Sequence, residues 1–183
     1  ELRKAGVEEV CPLCRAKLPA TAEKMFADGC TIYFSIKKRV QQSLDGPWRA
    51  LKRGEQKKMD EVVRLWEGAA KQEYAKAQFN LGGMYDHGQG VKQDYSKARE
   101  WFEKAAKQEH AHAQFNLGLM YYHGRGVKQD YSKAVEWYEK AAKQGIKSAQ
   151  FNLELLLYDE AADAAAQFNV GVMYYHGNNV KQD

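Results

Sequence analysis

The chain has 183 residues, of which 44% are hydrophobic and 28% are charged, and its formal net charge is +4. No apolar run reaches the length of a membrane span, so no membrane partner is predicted, and the composition, with three prolines, favours a helical protein. Three cysteines are an odd number, which argues against a disulfide framework and favours a reducing compartment.

The first 20 residues contain Cys-Pro-Leu-Cys, a spacing that lets the thiolates of Cys11 and Cys14 reach one zinc ion. Zinc needs two further ligands, and Cys30, in an apolar run, is interpreted as a buried free thiol. The motif resembles the closing ligand pair of a RING-type zinc finger. The resemblance implies an incomplete zinc half-site in a RING-finger remnant or linker (1–20). The chain starts at Glu1 without a methionine, which suggests a fragment or a processed product.

No cofactor is predicted for the residues present, and zinc is expected only in a longer protein with the full RING finger. The charge of the chain is concentrated in residues 1–60, where 13 Lys/Arg face 8 Asp/Glu. Basic clusters such as residues 37–39 indicate a solvated helix face, with nucleic-acid contact or nuclear import as the alternatives. No base-stacking aromatic motif accompanies them, so no nucleic-acid partner is predicted. We expect an N-terminal helical cap at 21–58 and a cytoplasmic protein, with the nucleus as the alternative.

Internal repetition dominates residues 59–152. Residues 69–104 and 105–140 differ at only seven of 36 positions, and a third copy begins at Ala141. A fixed period of this length predicts stacked supersecondary units, none of which can bury its apolar face alone. The predicted fold is therefore an all-α solenoid of antiparallel helix pairs with 36-residue repeats.

Each repeat predicts two helices, here called helix A and helix B. In the second copy, the apolar positions of helix A are Ala113, Leu117, Met120 and Tyr121, and those of helix B are Ala134, Trp137, Tyr138, Ala141 and Ala142. Phe115 is expected to be buried between units. Helix A should end at Gly124, and Asp130 should be the N-cap of helix B because its carboxylate can accept from exposed amides.

The Leu-Gly-x-x-Tyr segment at 117–121 resembles helix A of tetratricopeptide repeats. The 36-residue period, the Gly-x-Gly-Val loop and an Ala-x-x-Trp-Tyr-x-Lys-Ala-Ala helix B resemble the Sel-one-like repeats of the same superfamily. This resemblance implies a non-catalytic scaffold or adaptor that binds proteins or peptides on a concave face lined by helix A, including in the ubiquitin pathway. The alternative is the substrate-recruiting part of a RING-type ubiquitin ligase.

Eight partner-binding residues are predicted, which share one face of helix A in each unit: Lys76, Asn80, Gly83, His87, His112, Asn116, Leu119 and His123. We call these positions, in every unit, the helix A stripe. The asparagine amides can pair with a peptide backbone, and the alternative is that they satisfy neighbouring helix ends. The two intact copies differ in the stripe at two pairs of equivalent residues, Lys76 and His112, and Gly83 and Leu119. These positions would determine the preference for a partner.

Two kinds of catalytic or metal chemistry are rejected. One histidine recurs before the loop of each unit, as His87, His123 and His176. These side chains lie too far apart to bind one metal ion, and each is interpreted as a histidine at the C-terminal end of helix A that interacts with the helix dipole. Ser35 and Lys38 fit a Ser-x-x-Lys motif, but its companion motifs are absent. No enzyme activity is predicted.

Residues 153–183 are predicted to be a truncated, degenerate repeat. The phenylalanine of the Ala-Gln-Phe-Asn motif steps by 36 residues up to Phe151, and then by only 17 to Phe168. Most of one helix B is therefore missing. Either residues 149–176 form one long or kinked helix on the array, or they fray and expose an apolar stripe that promotes self-association.

Overall fold

The computed structural model describes residues 21–42, 48 and 51–158. Seven α-helices form in these ranges: α1 (Ala22–Gln42), α2 (Arg53–Lys71), α3 (Ala75–His87), α4 (Tyr95–Lys107), α5 (Ala111–His123), α6 (Tyr131–Lys143) and α7 (Lys147–Tyr158). The predicted all-α solenoid is confirmed: α1 packs on α2, α3 on α4 and α5 on α6, and each pair packs on the next. Among these helices, none combines the length and apolarity needed to cross a bilayer.

The helix ends follow from local sequence. Asp94 and Asp130 have extended backbones, and each carboxylate accepts a hydrogen bond of 3.0 Å from a backbone amide in the first turn of helix B. The N-cap predicted at Asp130 is thus confirmed. Helix A ends at Gly88 and Gly124, which adopt left-handed backbone angles that a Cβ would disfavour.

One contact recurs in all three helix pairs: a glycine of helix A lies against an aromatic ring of helix B. The pairs are Gly29 with Trp66, Gly82 with Phe102, and Gly118 with Tyr138. A Cβ on each glycine would lie 2.4–2.5 Å from the facing side chain, so only glycine lets the two helices approach this closely. All three aromatic residues are almost completely buried. The α1–α2 pair is therefore built like the repeats: α2 carries the helix B pattern one period before α4, whereas α1 lacks the helix A motif.

The outer face of α1 is polar. When α1 is aligned with α3 on this glycine, the positions of the buried residues Ala77, Leu81 and Met84 are occupied by Lys24, Asp28 and Thr31. In α3 the apolar trio packs against the preceding helix pair. Its replacements in α1 are exposed. A polar outer face is what a terminal unit of a repeat array needs for solubility.

Phe115 is only half-buried, which corrects the prediction that it is buried between units. Its ring centroid lies 5.8 Å from that of Tyr138, within its own helix pair. The fully buried aromatic residue is Tyr138. The reason is Gly118, which leaves room for the Tyr138 ring between the helices, so that Phe115 lies at the edge of the core.

The glycine loops join neighbouring units. Gly90 lies against Met59 near the start of α2, and Gly126 lies against the backbone of Tyr95, at the first residue of α4. Gln56 also donates a hydrogen bond of 2.9 Å to the carbonyl of Gly90. Each loop thus contacts the helix B of the preceding unit. In the first pair, that helix begins at Arg53, so residue 59, where the repeats were predicted to start, lies inside α2.

Candidate functional site

The helix A stripe is accessible in both intact units. Its charged and imidazole side chains (Lys76, His87, His112 and His123) are exposed. Its other members (Asn80, Gly83, Asn116 and Leu119) are half-buried. Such a surface, with partly buried centres and exposed ends on each helix, is open to a second molecule along α3 and α5.

Buried glutamines, which the sequence analysis did not single out, satisfy the helix ends. Gln78 donates to the carbonyl of Ala70 at 3.1 Å and accepts from Gln108 at 2.8 Å. Gln114 repeats this arrangement one unit later, with Ala106 at 3.4 Å and Gln144 at 2.8 Å. The sequence did contain a pattern that could have identified these glutamines, because they recur with the same 36-residue period as the asparagines. We call this set of side chains the glutamine ladder.

The stripe asparagines of the two intact units remain open. Within the described residues, the side-chain amides of Asn80 and Asn116 have no hydrogen-bond partner. The carbonyls of the last turns of α2 and α4 are bound by Gln78 and Gln114 instead. The alternative role considered for the asparagines, satisfying neighbouring helix ends, is therefore filled by other side chains.

The environments of the stripe histidines differ from the prediction that each interacts mainly with the helix dipole. Nδ1 of His87 lies 3.0 Å from the carbonyl oxygen of Gly83, in the last turn of α3. Partial burial lowers the pKa of His123, and the nearby Arg125 lowers it further. The dipole of a helix C-terminus would raise that pKa, so burial outweighs the expected dipole effect at His123. In the described ranges, no three His, Cys, Asp or Glu side chains are grouped for metal binding.

Cys30 is a free thiol, as interpreted from the sequence, but it is half-buried and not buried, and this burial raises its pKa. It occupies the stripe position that corresponds to Gly83 when α1 and α3 are aligned on their core glycines. The predicted zinc ligands Cys11 and Cys14 lie outside the described residues. So does the part of the truncated repeat beyond residue 158.

His110 is the N-cap of α5 and contacts the stripe. Its Nδ1 accepts a hydrogen bond of 3.3 Å from the amide of Ala113, and its ring stacks on Phe79 at a centroid distance of 4.6 Å. Burial lowers the pKa of His110, and His112 and Lys76 lower it further. Nδ1 accepts this hydrogen bond through its lone pair. Protonation of Nδ1 removes the lone pair, so the cap exists only in the neutral imidazole.

Lowering the pH should therefore weaken this cap. An unfolded histidine has a pKa of about 6.5, and the folded pKa of His110 is lower, so the unfolded chain binds more protons near that pH. The stabilising contribution is complete above the unfolded pKa and is lost as the pH falls towards the folded pKa. We expect a loss of up to about 1 kcal/mol, the usual contribution of an N-cap, in urea denaturation at pH 7.5, 6.5 and 5.5.

The control is His110→Tyr, because Tyr74 occupies the equivalent position before α3. The variant keeps every other histidine of the chain, so the difference between the two pH profiles isolates residue 110. A pH dependence that is the same in both proteins would contradict the proposed cap titration.

A cavity of about 230 Å³ opens on the stripe between α5 and α7. It is lined by Leu119, Tyr122, His123, Tyr138, Asn152 and Leu155. The buried Tyr138 comes from α6, its hydroxyl is hydrogen-bonded to Asn152, and burial raises its pKa to about 12. Of these residues, the sequence-based prediction included Leu119, His123 and, as one of the recurring asparagines, Asn152. It missed Tyr122, Tyr138 and Leu155, because which side chains of neighbouring helices meet here depends on packing between units.

Exposed apolar side chains also concentrate on the stripe. The large hydrophobic residues that are at least half exposed in the described ranges are Phe34, Phe151 and Leu155. Leu155 follows Leu119 by one repeat, and Phe34 corresponds to His87 when α1 and α3 are aligned on their core glycines. Two of the three therefore occupy stripe positions, whereas Phe151 corresponds to Phe115, outside the stripe.

The sequence matches the family model described as Sel1 repeat at residues 75–110, 111–146 and 164–183, together half of the chain. The fold is similar to the crystal structure of a Sel1 repeat protein from Oxalobacter formigenes, with 26% identity and a TM-score of 0.56, over 88% of this chain and 53% of that one. It is also similar to c5321, a protective antigen of uropathogenic Escherichia coli strains that displays an SLR fold.

For c5321, the identity is 27% and the TM-score 0.54, over 88% of this chain and 43% of the antigen. The chain thus spans about half the length of these two proteins. No curated protein matches it significantly.

Proposed function

Because the chain belongs to the Sel1 repeat family, we propose that it is a non-catalytic scaffold that binds an extended segment of another protein along the helix A stripe. Sel1 repeat proteins generally act as protein-interaction scaffolds, which supports this choice. The proposed partner is a protein or peptide on the concave side of the solenoid. We place the scaffold in the cytoplasm, with the nucleus as the alternative.

The observation that supports the proposal most directly is that the glutamine and asparagine amides of helix A differ in their hydrogen bonding. The glutamine ladder uses its donors and acceptors within the array, whereas the amides of Asn80 and Asn116 have no partner among the described residues. Each asparagine offers one acceptor and two donors, which can pair with the C=O and N–H of an extended backbone. Their spacing by one repeat would engage a bound segment at regular intervals.

The apolar side chains of the stripe support the same function. Phe34 is 58% exposed and Leu155 is 50% exposed, and Leu119 lies between them along the array. Apolar side chains near open amides are the composition expected of a surface that buries part of a partner. No single one of these residues would be sufficient, because isolated exposed hydrophobic residues are common on protein surfaces.

The test compares the proteins captured by the full chain from a lysate with those captured by two double variants. Asn80→Ala/Asn116→Ala alters the stripe, and Glu100→Ala/Glu136→Ala alters equivalent exposed positions of helix B. Each lost hydrogen bond should weaken binding by about 1 kcal/mol, so the stripe variant should lose about tenfold or more of its captured partners. Quantitative mass spectrometry measures this loss, with circular dichroism as the check on folding.

Capture that survives the asparagine changes, or that is reduced equally by the helix B changes, would contradict binding at the stripe. The expected result is loss in the first variant and retention in the second. Self-association through residues 153–183 remains a prediction, and sedimentation velocity of the full chain and of a variant that lacks residues 153–183 tests it.

A second candidate function, substrate recruitment for a RING-type ubiquitin ligase, rests on the Cys11–Cys14 motif alone. A RING finger needs eight ligands, so we expect the present chain not to transfer ubiquitin in a reconstituted assay. We also expect zinc chelation to leave its helicity unchanged, since the helix pairs of the described residues pack on one another. Ubiquitin chains formed with this protein as the only ligase would favour the second candidate.

A further inference from the structure

We propose that the cavity between α5 and α7 is the specificity pocket of the helix A stripe, and that it receives one apolar side chain of an extended, acidic peptide. The inference rests on the proposed function and adds to it the chemistry of the bound segment. It also fixes where along the array that segment is anchored.

The size of the cavity selects a side chain over a small molecule. Its volume is about 230 Å³, below the roughly 300–1,000 Å³ of sites that enclose whole ligands of drug size. Leu119 and Leu155 form apolar walls, and the buried ring of Tyr138 lies between them. A single aliphatic or aromatic side chain fits such a space and would cover apolar surface that is now half-exposed.

The polar groups of the cavity do not impose a large desolvation cost on the binding of an apolar side chain. The hydroxyl of Tyr138 keeps its hydrogen-bond partner Asn152, another residue of the cavity lining, when an apolar side chain covers the cavity. His123 is held in its neutral form at pH 7, since partial burial and Arg125 lower its pKa. No ionised side chain lines the pocket at that pH, and an apolar side chain can enter without desolvating a charge.

The charge of the stripe selects the flanking residues of the peptide. In α3, α5 and α7, the described stripe positions carry one lysine, Lys76, and three histidines, but no carboxylate. Arg125 is exposed just beyond the last stripe histidine of α5. The neighbouring carboxylates offset only part of this charge: with neutral histidines, Lys76, Arg125 and Lys147 against Asp86 and Glu154 leave a net charge of +1. The outward charge is therefore positive, which complements acidic residues on either side of an apolar anchor.

The preceding unit offers different chemistry at the equivalent site. Gly83 and Asp86 replace Leu119 and Tyr122 there, and a Cβ built on Gly83 would meet nothing within 4 Å. One of the two apolar walls of the α5–α7 pocket, the one formed by Leu119, is thus missing between α3 and α5, where Leu119 itself takes the place of Leu155. This difference between otherwise near-identical units would hold a bound peptide in one register.

The experiment uses the full chain and three pools of synthetic 12-residue peptides, with one randomised central position. The flanks consist of Asp/Glu/Ser/Gly in the first pool, Lys/Arg/Ser/Gly in the second and Ser/Gly in the third. Peptides retained by the immobilised protein are identified by mass spectrometry, and retained peptides are then measured singly by fluorescence anisotropy. The expected result is enrichment of Leu, Ile, Met or Phe at the centre of the acidic pool.

Two variants of α7 test the position of the pocket. Leu155→Glu places a carboxylate on its wall and should weaken binding at least tenfold. Phe151→Glu is the matched control, since Phe151 is 58% exposed on the same helix but outside the stripe, and it should leave binding within twofold. Both side chains are at least half exposed, so both variants are expected to fold, and circular dichroism verifies this.

The outcomes separate the pocket from the proposed function. Peptides that bind without a central apolar preference, ignore Leu155→Glu and are lost in Asn80→Ala/Asn116→Ala would overturn the pocket and leave stripe binding intact. A preference for the basic pool would overturn the proposed peptide charge. Equal losses in both α7 variants would show that α7 binds through its other face. No enrichment from any pool would overturn the pocket and peptide binding by the stripe together.

Discussion

Tyr138→Ala is expected to lower the free energy of unfolding by about 3–5 kcal/mol, the usual cost of truncating a buried aromatic side chain. Tyr138 is 1% exposed and packs in the cluster shared by α5, α6 and α7. The helix backbone at Gly118 cannot move in to fill the lost volume without breaking the contacts on either side. Urea denaturation followed by circular dichroism gives the change directly.

Two other variants calibrate this result. Phe115→Ala removes a ring that is only half-buried, so we expect a loss of about 2 kcal/mol, roughly what partial burial of such a side chain contributes. Asp130→Ala removes one N-cap and should cost about 1 kcal/mol. The expected order is Tyr138, then Phe115, then Asp130. If Phe115→Ala proved as costly as Tyr138→Ala, the placement of the two rings would be wrong.

Alanine substitutions at the adjacent glycines of α3 should have opposite effects. The methyl group of Gly82→Ala would lie 2.5 Å from the ring of Phe102, and such overpacking typically costs about 1–3 kcal/mol. A Cβ at Gly83 meets nothing within 4 Å, so Gly83→Ala should stabilise the helix by roughly 0.5–1 kcal/mol through reduced backbone freedom. Denaturation midpoints of the two variants should therefore lie on either side of the parent midpoint.

The second unit supplies a natural comparison for this pair. It keeps glycine at the position of Gly82, as Gly118, and has leucine at the position of Gly83, as Leu119. Gly118→Ala should accordingly repeat the destabilisation of Gly82→Ala, because its Cβ would lie 2.4 Å from the ring of Tyr138. Stabilisation by both alanines in α3 would contradict the close helix contact described for each pair.

The fold of the intact repeats could be predicted because its signals are local or periodic. Asp130 precedes a helix at a fixed distance from the glycine loop, and the 36-residue period gives the stacking directly. Of the first helix pair, only α2 could be recognised in this way, because Trp66 precedes Phe102 by one period of 36 residues. Gly29 and Trp66 are 37 positions apart, whereas Gly82 and Phe102 are 20 apart, so their contact has no counterpart in the repeat spacing. Only packing reveals that α1 and α2 form the same unit.

The candidate site was predictable as a set of positions, but the roles of its residues were not. Gln78 and Asn80 are two residues apart and point in different directions from the helix. Which of them meets the preceding helix depends on how α2 and α3 pack. Phe115 and Tyr138 posed the same difficulty, since both lie at apolar positions of the repeat. Gly118 determines which of the two rings is buried, because it contacts the Tyr138 ring across the helix pair.

The glutamine ladder has a consequence for how such an array changes length during evolution. Residues 69–104 and 105–140 are near-identical, so unequal recombination between their coding sequences would add or delete exchangeable blocks of 36 residues. After deletion of residues 105–140, Gln144 would occupy the place of Gln108 and donate to Gln78. The new junction would contain the same pair of glutamine side chains as the old one. Genetic gain or loss of one block would therefore preserve the contact between units, and it would change the number of A helices in whole steps.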